Sequence, residues 1–166
     1  MSPREAIALQ KRLAARIRIE PLRKAPRLVA GADVACSADG RRGLAGVVVW
    51  DVQAGQVVEE RLAWRPAKFP YVPGLLSFRE APAVLAAVRK LRSRPDVFMF
   101  DAQGVAHPRR MGLASHVGLL MDCPSIGCAK SRLCGEQIVP AIAAGSIAPL
   151  IDHGETVGVV LRTRGG

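Results

Sequence analysis

Between residues 4 and 18, Ile7, Leu9, Leu13, Ala14 and Ile17 fall on roughly one face, with Lys and Arg elsewhere, which predicts an amphipathic helix. Pro21 and Pro26 break that pattern. Leu28 to Ala32 is a short apolar run ending in Asp33 and reads as a buried strand; Leu44 to Trp50 reads as a second. Turn residues occupy 51–55, and Gln56 to Trp64 alternates well enough for a third strand, so these three predict an antiparallel meander. An irregular stretch, Arg65 to Gly74, holds Pro66, Pro70, Pro73 and the only tyrosine. Ser77 to Arg92 predicts a helix, with Ser77 as N-cap and Glu80 at the capping-box spacing. Asp96 to Phe100 is an apolar strand stopping at Asp101, and a loop then leads into an apolar helix over Gly112 to Met121. Ser125 to Ala129 and Thr156 to Arg162 predict two further short strands.

Three antiparallel strands followed by alternating helix and strand predict an α/β fold with a mixed sheet. With no internal repeat, low-complexity tract or interdomain linker, residues 1–166 are expected to form a single domain. In such sheets, polar residues just beyond the carboxyl ends of strands are prime site candidates. Asp33 and Asp101 both terminate apolar strands, and the meander would let the first strand lie beside the fourth.

Composition narrows the class. The chain is 49% hydrophobic and 23% charged, enough for a core and against intrinsic disorder. No apolar run reaches the ~18 residues of a spanning helix, and the N-terminus carries no signal-peptide apolar segment, so a cytoplasmic protein without a membrane partner is expected. A net charge of +10 favours a polyanion, nucleic acid ahead of an anionic membrane, against the plainer reading of solvated Lys/Arg faces. Four cysteines without a CxxC pair are expected to be reduced thiols. Nothing marks an obligate protein partner.

Asp33, Asp101 and Glu80 together would suit Mg²⁺, which prefers oxygen ligands and often shares them with a substrate phosphate. The alternative is that the two Asp cap turns and Glu80 closes a capping box. In the loop after Asp101, Gly104 permits close approach to a ligand, and Arg109 and Arg110 can contact phosphates. His107 is a ligand, a base or a structural strut; His116 is expected to fix the core, and His153 to sit in an exposed turn. Pro70-Tyr71-Val72-Pro73 reads either as a rigid wedge that enters a base stack or as a braced turn whose tyrosine packs on the protein.

Residues 29–33 (VAGAD), 70–80 (PYVPGLLSFRE), 97–118 (VFMFDAQGVAHPRRMGLASHVG) and 124–133 (PSIGCAKSRL) resemble, in that order, the endonuclease V family. The resemblance implies a ribonuclease H-like fold and a deoxyribonuclease V-type phosphodiester hydrolase of DNA repair. Such an enzyme nicks DNA at the second phosphodiester 3′ of deoxyinosine with Mg²⁺, for which Mn²⁺ can substitute; some members prefer inosine in RNA. It implies that Asp33, Glu80 and Asp101 bind the metal and that Pro70, Tyr71, Val72 and Pro73 form a strand-separating wedge. It further implies that Gly74, Leu76, Gly104, His107 and Gly112 surround the flipped hypoxanthine, with Lys130 near the scissile phosphate. Two departures stand out. Ala102 replaces the family's usual Gly, and its methyl is expected to tighten the backbone's approach to the base. The family's further C-terminal strand, SPGH-like motif and terminal helix do not follow Arg164-Gly165-Gly166. Two outcomes are therefore carried forward, an active inosine-directed nuclease and a shortened homologue that binds the lesion without efficient cleavage, with an altered nuclease task as a weaker third.

Overall fold

The computed structural model describes residues 1–165; Gly166 lies outside them. Helix α1 (Pro3–Ala14) opens with a complete capping box between Ser2 and Glu5. It ends a turn sooner than the apolar pattern predicts, and the residues it buries fully are Ala6 and Gln10. Strands β1 (Leu28–Cys36), β2 (Arg42–Asp51) and β3 (Gln56–Pro66) form the expected antiparallel meander. Helix α2 (Leu76–Val88), strand β4 (Val97–Phe100), helix α3 (Leu113–Met121) and strand β5 (Ser125–Gly127) complete the main layer. Its five-stranded sheet runs β3-β2-β1-β4-β5, with β4 and β5 parallel to β1. This is the mixed sheet flanked by helices that the sequence and the resemblance both imply.

One face of that sheet forms the core. Ala30, Ala32, Ala45, Val47, Val49, Ala63, Phe98 and Phe100 alternate inward along their strands and meet Ala81, Val84, Ala87, Leu113 and Val117. The alanines on both sides let α2 lie close to the sheet. Each fully buried Val or Phe contributes roughly 1.5–3 kcal/mol. The opposite face carries Val48, Trp50, Leu62, Trp64, Met99 and Ile126, all more than a third exposed.

The remaining chain forms a second sheet that the hydropathy pattern predicts only in part. Strands β6 (Glu136–Gln137), β7 (Ile147–Asp152) and β8 (Glu155–Leu161) pair antiparallel in the order β6-β7-β8, separate from the main sheet. His153 sits exposed, with φ +51°, in the β7–β8 turn, and all four cysteines are free thiols.

Candidate active site

The carboxylates are positioned by strand register. Asp33 does not end its strand, because pairing with β2 carries β1 on to Cys36. What ends there is β4: Phe100 pairs with Ala32, and the Asp101 N–H donates to the Ala32 carbonyl at 3.3 Å. Asp33 and Asp101 are thus the next residues on adjacent parallel strands. The Asp33 Oδ1 accepts from the Val34 N–H at 2.7 Å.

Glu80 arrives from α2, and the capping box expected for it does not form. Gly74 adopts φ +76° and turns the chain so that Leu75 becomes the N-cap, without a side-chain cap. Ser77 therefore lies inside the helix, buried, with its hydroxyl 3.1 Å from His116 Nδ1. Glu80, freed from the helix end, is half-buried beside the two aspartates. Its burial and the negative charges of Asp33 and Asp101 push it up to about 7, against the opposing pull of Arg79.

Lys130 forms an ion pair with Asp101. Its loop is held by the Gln103 side-chain amide, which donates to the Ser131 carbonyl at 2.6 Å. A groove of about 610 Å³ opens here, lined by Gly31, Asp33, Gly46, Met99, Asp101 and Lys130, among others. Among the described residues no three of His, Cys, Asp and Glu converge closely enough to hold a metal as the side chains stand. Asp101 is turned to Lys130. An all-oxygen donor set with a cation already seated on one carboxylate nonetheless fits a hard divalent ion in chemistry. A second depression, about 700 Å³, lies between β3 and the α2–β4 connection. Its buried acid, Glu59, is satisfied by the N–H groups of Arg92 and Ser93 and by Arg61.

The loops around Gly74 form a different kind of structure. The Gly74 carbonyl accepts from Gln10 Nε2 at 3.0 Å, His107 Nε2 at 3.0 Å and Arg109 Nη2 at 2.7 Å. The Arg109 N–H donates to His107 Nδ1 at 3.1 Å, so that nitrogen is bare and Nε2 carries the proton. His107 is accordingly a neutral strut, kept below its usual pKa mainly by burial. Gly112 packs against the backbone of the same loop, where an added Cβ would lie 2.2 Å from the Gln103 carbonyl oxygen. Gly104 differs, since a Cβ there meets nothing nearer than 3.6 Å. Leu76, in the first turn of α2, is half-buried.

Above this network the Pro70–Pro73 segment projects. Val72 packs with Ala6, Phe69 and Leu75 in a small second core, whereas Tyr71 is 72% exposed. The tyrosine does not pack on the protein, contrary to the braced-turn reading. Arg109 is occupied by Gly74 and by Gln10 Oε1 at 2.6 Å, and Arg110 by Asp152 at 2.7 Å and Glu155 at 3.1 Å. Each guanidinium ties two parts of the fold together. Ala102 is buried in the main core with Phe100 and Leu113, so its methyl adds to packing rather than narrowing a base pocket. The sequence reading missed Gln10 and Gln103, and neither residue type carries a local signal.

A mixed sheet of this order, with Asp33 and Asp101 adjacent on its parallel strands, defines an α/β protein. The particular family follows from comparison. The Endonuclease V family model matches residues 11–166, and the chain belongs to that family. It is 52% identical over 163 residues to Endonuclease V of Nostoc punctiforme, spanning 98% of this chain and 74% of the relative. The crystal structure of Endonuclease V from Streptomyces avermitilis superposes with a TM-score of 0.93 at 42% identity, over 99% of this chain and 73% of that one. Endonuclease V of Ciona intestinalis, in complex with a 24mer DNA containing an inosine followed by a ribo-adenosine, shares the fold at a TM-score of 0.75 and 21% identity, over 97% of this chain and 82% of its own.

Proposed function

We propose that this protein is a divalent-metal-dependent endonuclease that nicks DNA at the second phosphodiester 3′ of deoxyinosine. Asp33, Glu80 and Asp101 would hold Mg²⁺, for which Mn²⁺ can substitute, and a bound cation supplies polarisation of the phosphodiester and a lowered pKa for the attacking water. The observation that supports the reading is the placement of Asp33, Asp101 and Lys130 along one open groove, with Glu80 near enough for both aspartates to raise its pKa. Tyr71 acts as the exposed wedge, and Gly74, Leu76, Gly104, His107 and Gly112 bound the space for the extruded base. Lys130 neutralises the phosphate, with Arg109 and Arg110 bracing the loops behind it. The Ciona intestinalis complex supports inosine-containing nucleic acid as the substrate class.

A second reading, binding of the lesion without efficient cleavage, is favoured by one observation: the three acids do not converge as the side chains stand. Nicking of matched duplexes with and without one deoxyinosine, with Mg²⁺, Mn²⁺ or a chelator, separates the two. Metal-dependent cleavage that strongly favours the inosine strand over control duplex is expected. Tight, inosine-selective binding without a product would favour the second reading, and equal action on both duplexes would overturn both. An inosine-containing RNA strand in the same assay tests the alternative substrate.

A further inference from the structure

Gln10 is fully buried on the inner face of α1, some distance along the chain from every residue discussed as catalytic. A buried primary amide is tolerated only when its groups find partners. Here Nε2 donates to the carbonyls of Gly74 at 3.0 Å and Met111 at 2.9 Å, while Oε1 accepts from Arg109 Nε at 2.6 Å. Both N–H groups are used. The amide orientation is dictated by its neighbours, because two carbonyls can only accept and a guanidinium can only donate.

The three partners belong to two loops. Gly74 closes the segment that bears Tyr71, whereas Arg109 and Met111 belong to the segment that bears His107 and Gly112. A helix anchored for packing alone would need one of these loops, not both. The geometry points to Gln10 as a positioning residue that fixes the spacing between the Tyr71 loop and the His107 loop, and through it the fit of the space that accepts the lesion base. This inference rests on the function proposed above. It assigns no contact with substrate to Gln10, and it leaves the carboxylates, which are held by β1, α2 and β4, outside the amide's reach.

Two variants test it. Gln10→Met keeps length and volume but removes all three hydrogen bonds. Gln10→Asn keeps the amide but withdraws it by one methylene, so that it cannot span both loops. Each is compared with the unaltered protein in three ways: thermal unfolding, the ratio of nicking on inosine to nicking on control duplex, and hydrogen exchange at the amides of Leu75 and Gly112. Those two N–H groups donate to Val72 and Gly104, both at 2.9 Å, and report on the two loops separately. The expected result is a folded protein whose inosine preference falls about 10- to 100-fold, the scale of a small misplacement near reacting groups. Both reporter amides should lose protection. A folded variant with full inosine preference overturns the inference, as does unchanged protection at both amides. If the unaltered protein shows no inosine preference, the proposed function fails; loss of protection at both amides would then sustain the clamp, and unchanged protection would overturn it.

Discussion

The carboxylate end of the main sheet and the loop cluster beneath Tyr71 solve positioning by opposite means. At the first, acidic side chains are placed by backbone register, β1 against β4 and α2 above them, and none of the three acids is needed to hold those elements together. At the second there is no regular pairing. Two loops and a helix are joined by side chains converging on the Gly74 carbonyl, and the same residues that would shape a ligand space also maintain the fold. Register tolerates a change of side-chain charge. A side-chain network does not tolerate the loss of its members, so chemistry and stability should separate at one end and coincide at the other.

The sharpest break comes from Asp101→Asn. Asn nearly preserves volume and leaves the β1–β4 register intact, so unfolding free energy should move by less than about 1 kcal/mol, the worth of an exposed ion pair. Metal-dependent nicking should fall by orders of magnitude, because a ligand charge is lost. Near-normal nicking would remove Asp101 from the metal site, and a large stability loss would erase the contrast between the two ends.

Gly74→Ala should do the reverse. The backbone sits at φ +76°, and an added Cβ would lie 2.7 Å from Arg109 Nη2, itself bonded to the Gly74 carbonyl. Left-handed strain and one disturbed hydrogen bond together cost about 2–3 kcal/mol, to be read by denaturant titration. An unchanged midpoint would mean that the cluster is slack.

Tyr71→Ala sharpens the comparison within the loop region, since this residue stands outside the network. Stability should stay within about 0.5 kcal/mol. Binding to inosine-containing duplex should weaken by roughly 1–3 kcal/mol, the usual worth of aromatic–base stacking. Equal losses on control duplex would make Tyr71 a general contact.

The smallest effect expected is one of pH. Burial holds His107 below its ordinary value, with Arg109 and Arg110 adding to the depression. The unfolded chain therefore binds more protons between the folded and unfolded pKa values, and stability rises with pH across that window. The contribution is complete above the unfolded value, near 6.5, and is lost as pH falls through the folded value. His116, also depressed by burial, acts in the same sense. His107→Gln should therefore flatten the stability–pH curve in part, leaving the His116 share, and an unaltered curve would count against the neutral strut.

The same division explains what the chain discloses. The meander, α2, β4 and α3 follow from local periodicity, and the proximity of Asp33 to Asp101 follows from their order along a mixed sheet. Strand ends are less legible, because β1 runs past Asp33 only on account of its pairing with β2. The start of α2 was hidden by Gly74, whose turn moves the cap from Ser77 to Leu75. Strands β6 and β7 lie in sequence broken by Pro140, Gly145 and Pro149, where alternation is weak. The bracing contacts of Arg109 and Arg110 are hidden because their partners, Gln10, Gly74, Asp152 and Glu155, lie tens of residues away. Long-range hydrogen bonds leave no local trace.

The uncovered face of the main sheet, with Trp50, Trp64, Leu62 and Met99 toward solvent, gives this molecule the makings of a charge-stabilised colloid. A net charge of +10 keeps copies apart at low ionic strength. Added salt shortens the screening length from about 10 Å at 0.1 M to about 3 Å at 1 M, while the attraction between apolar patches persists. The salt that strips a polyanion from the basic surface should therefore also bring the protein closer to precipitation, leaving an intermediate ionic strength as the useful working range.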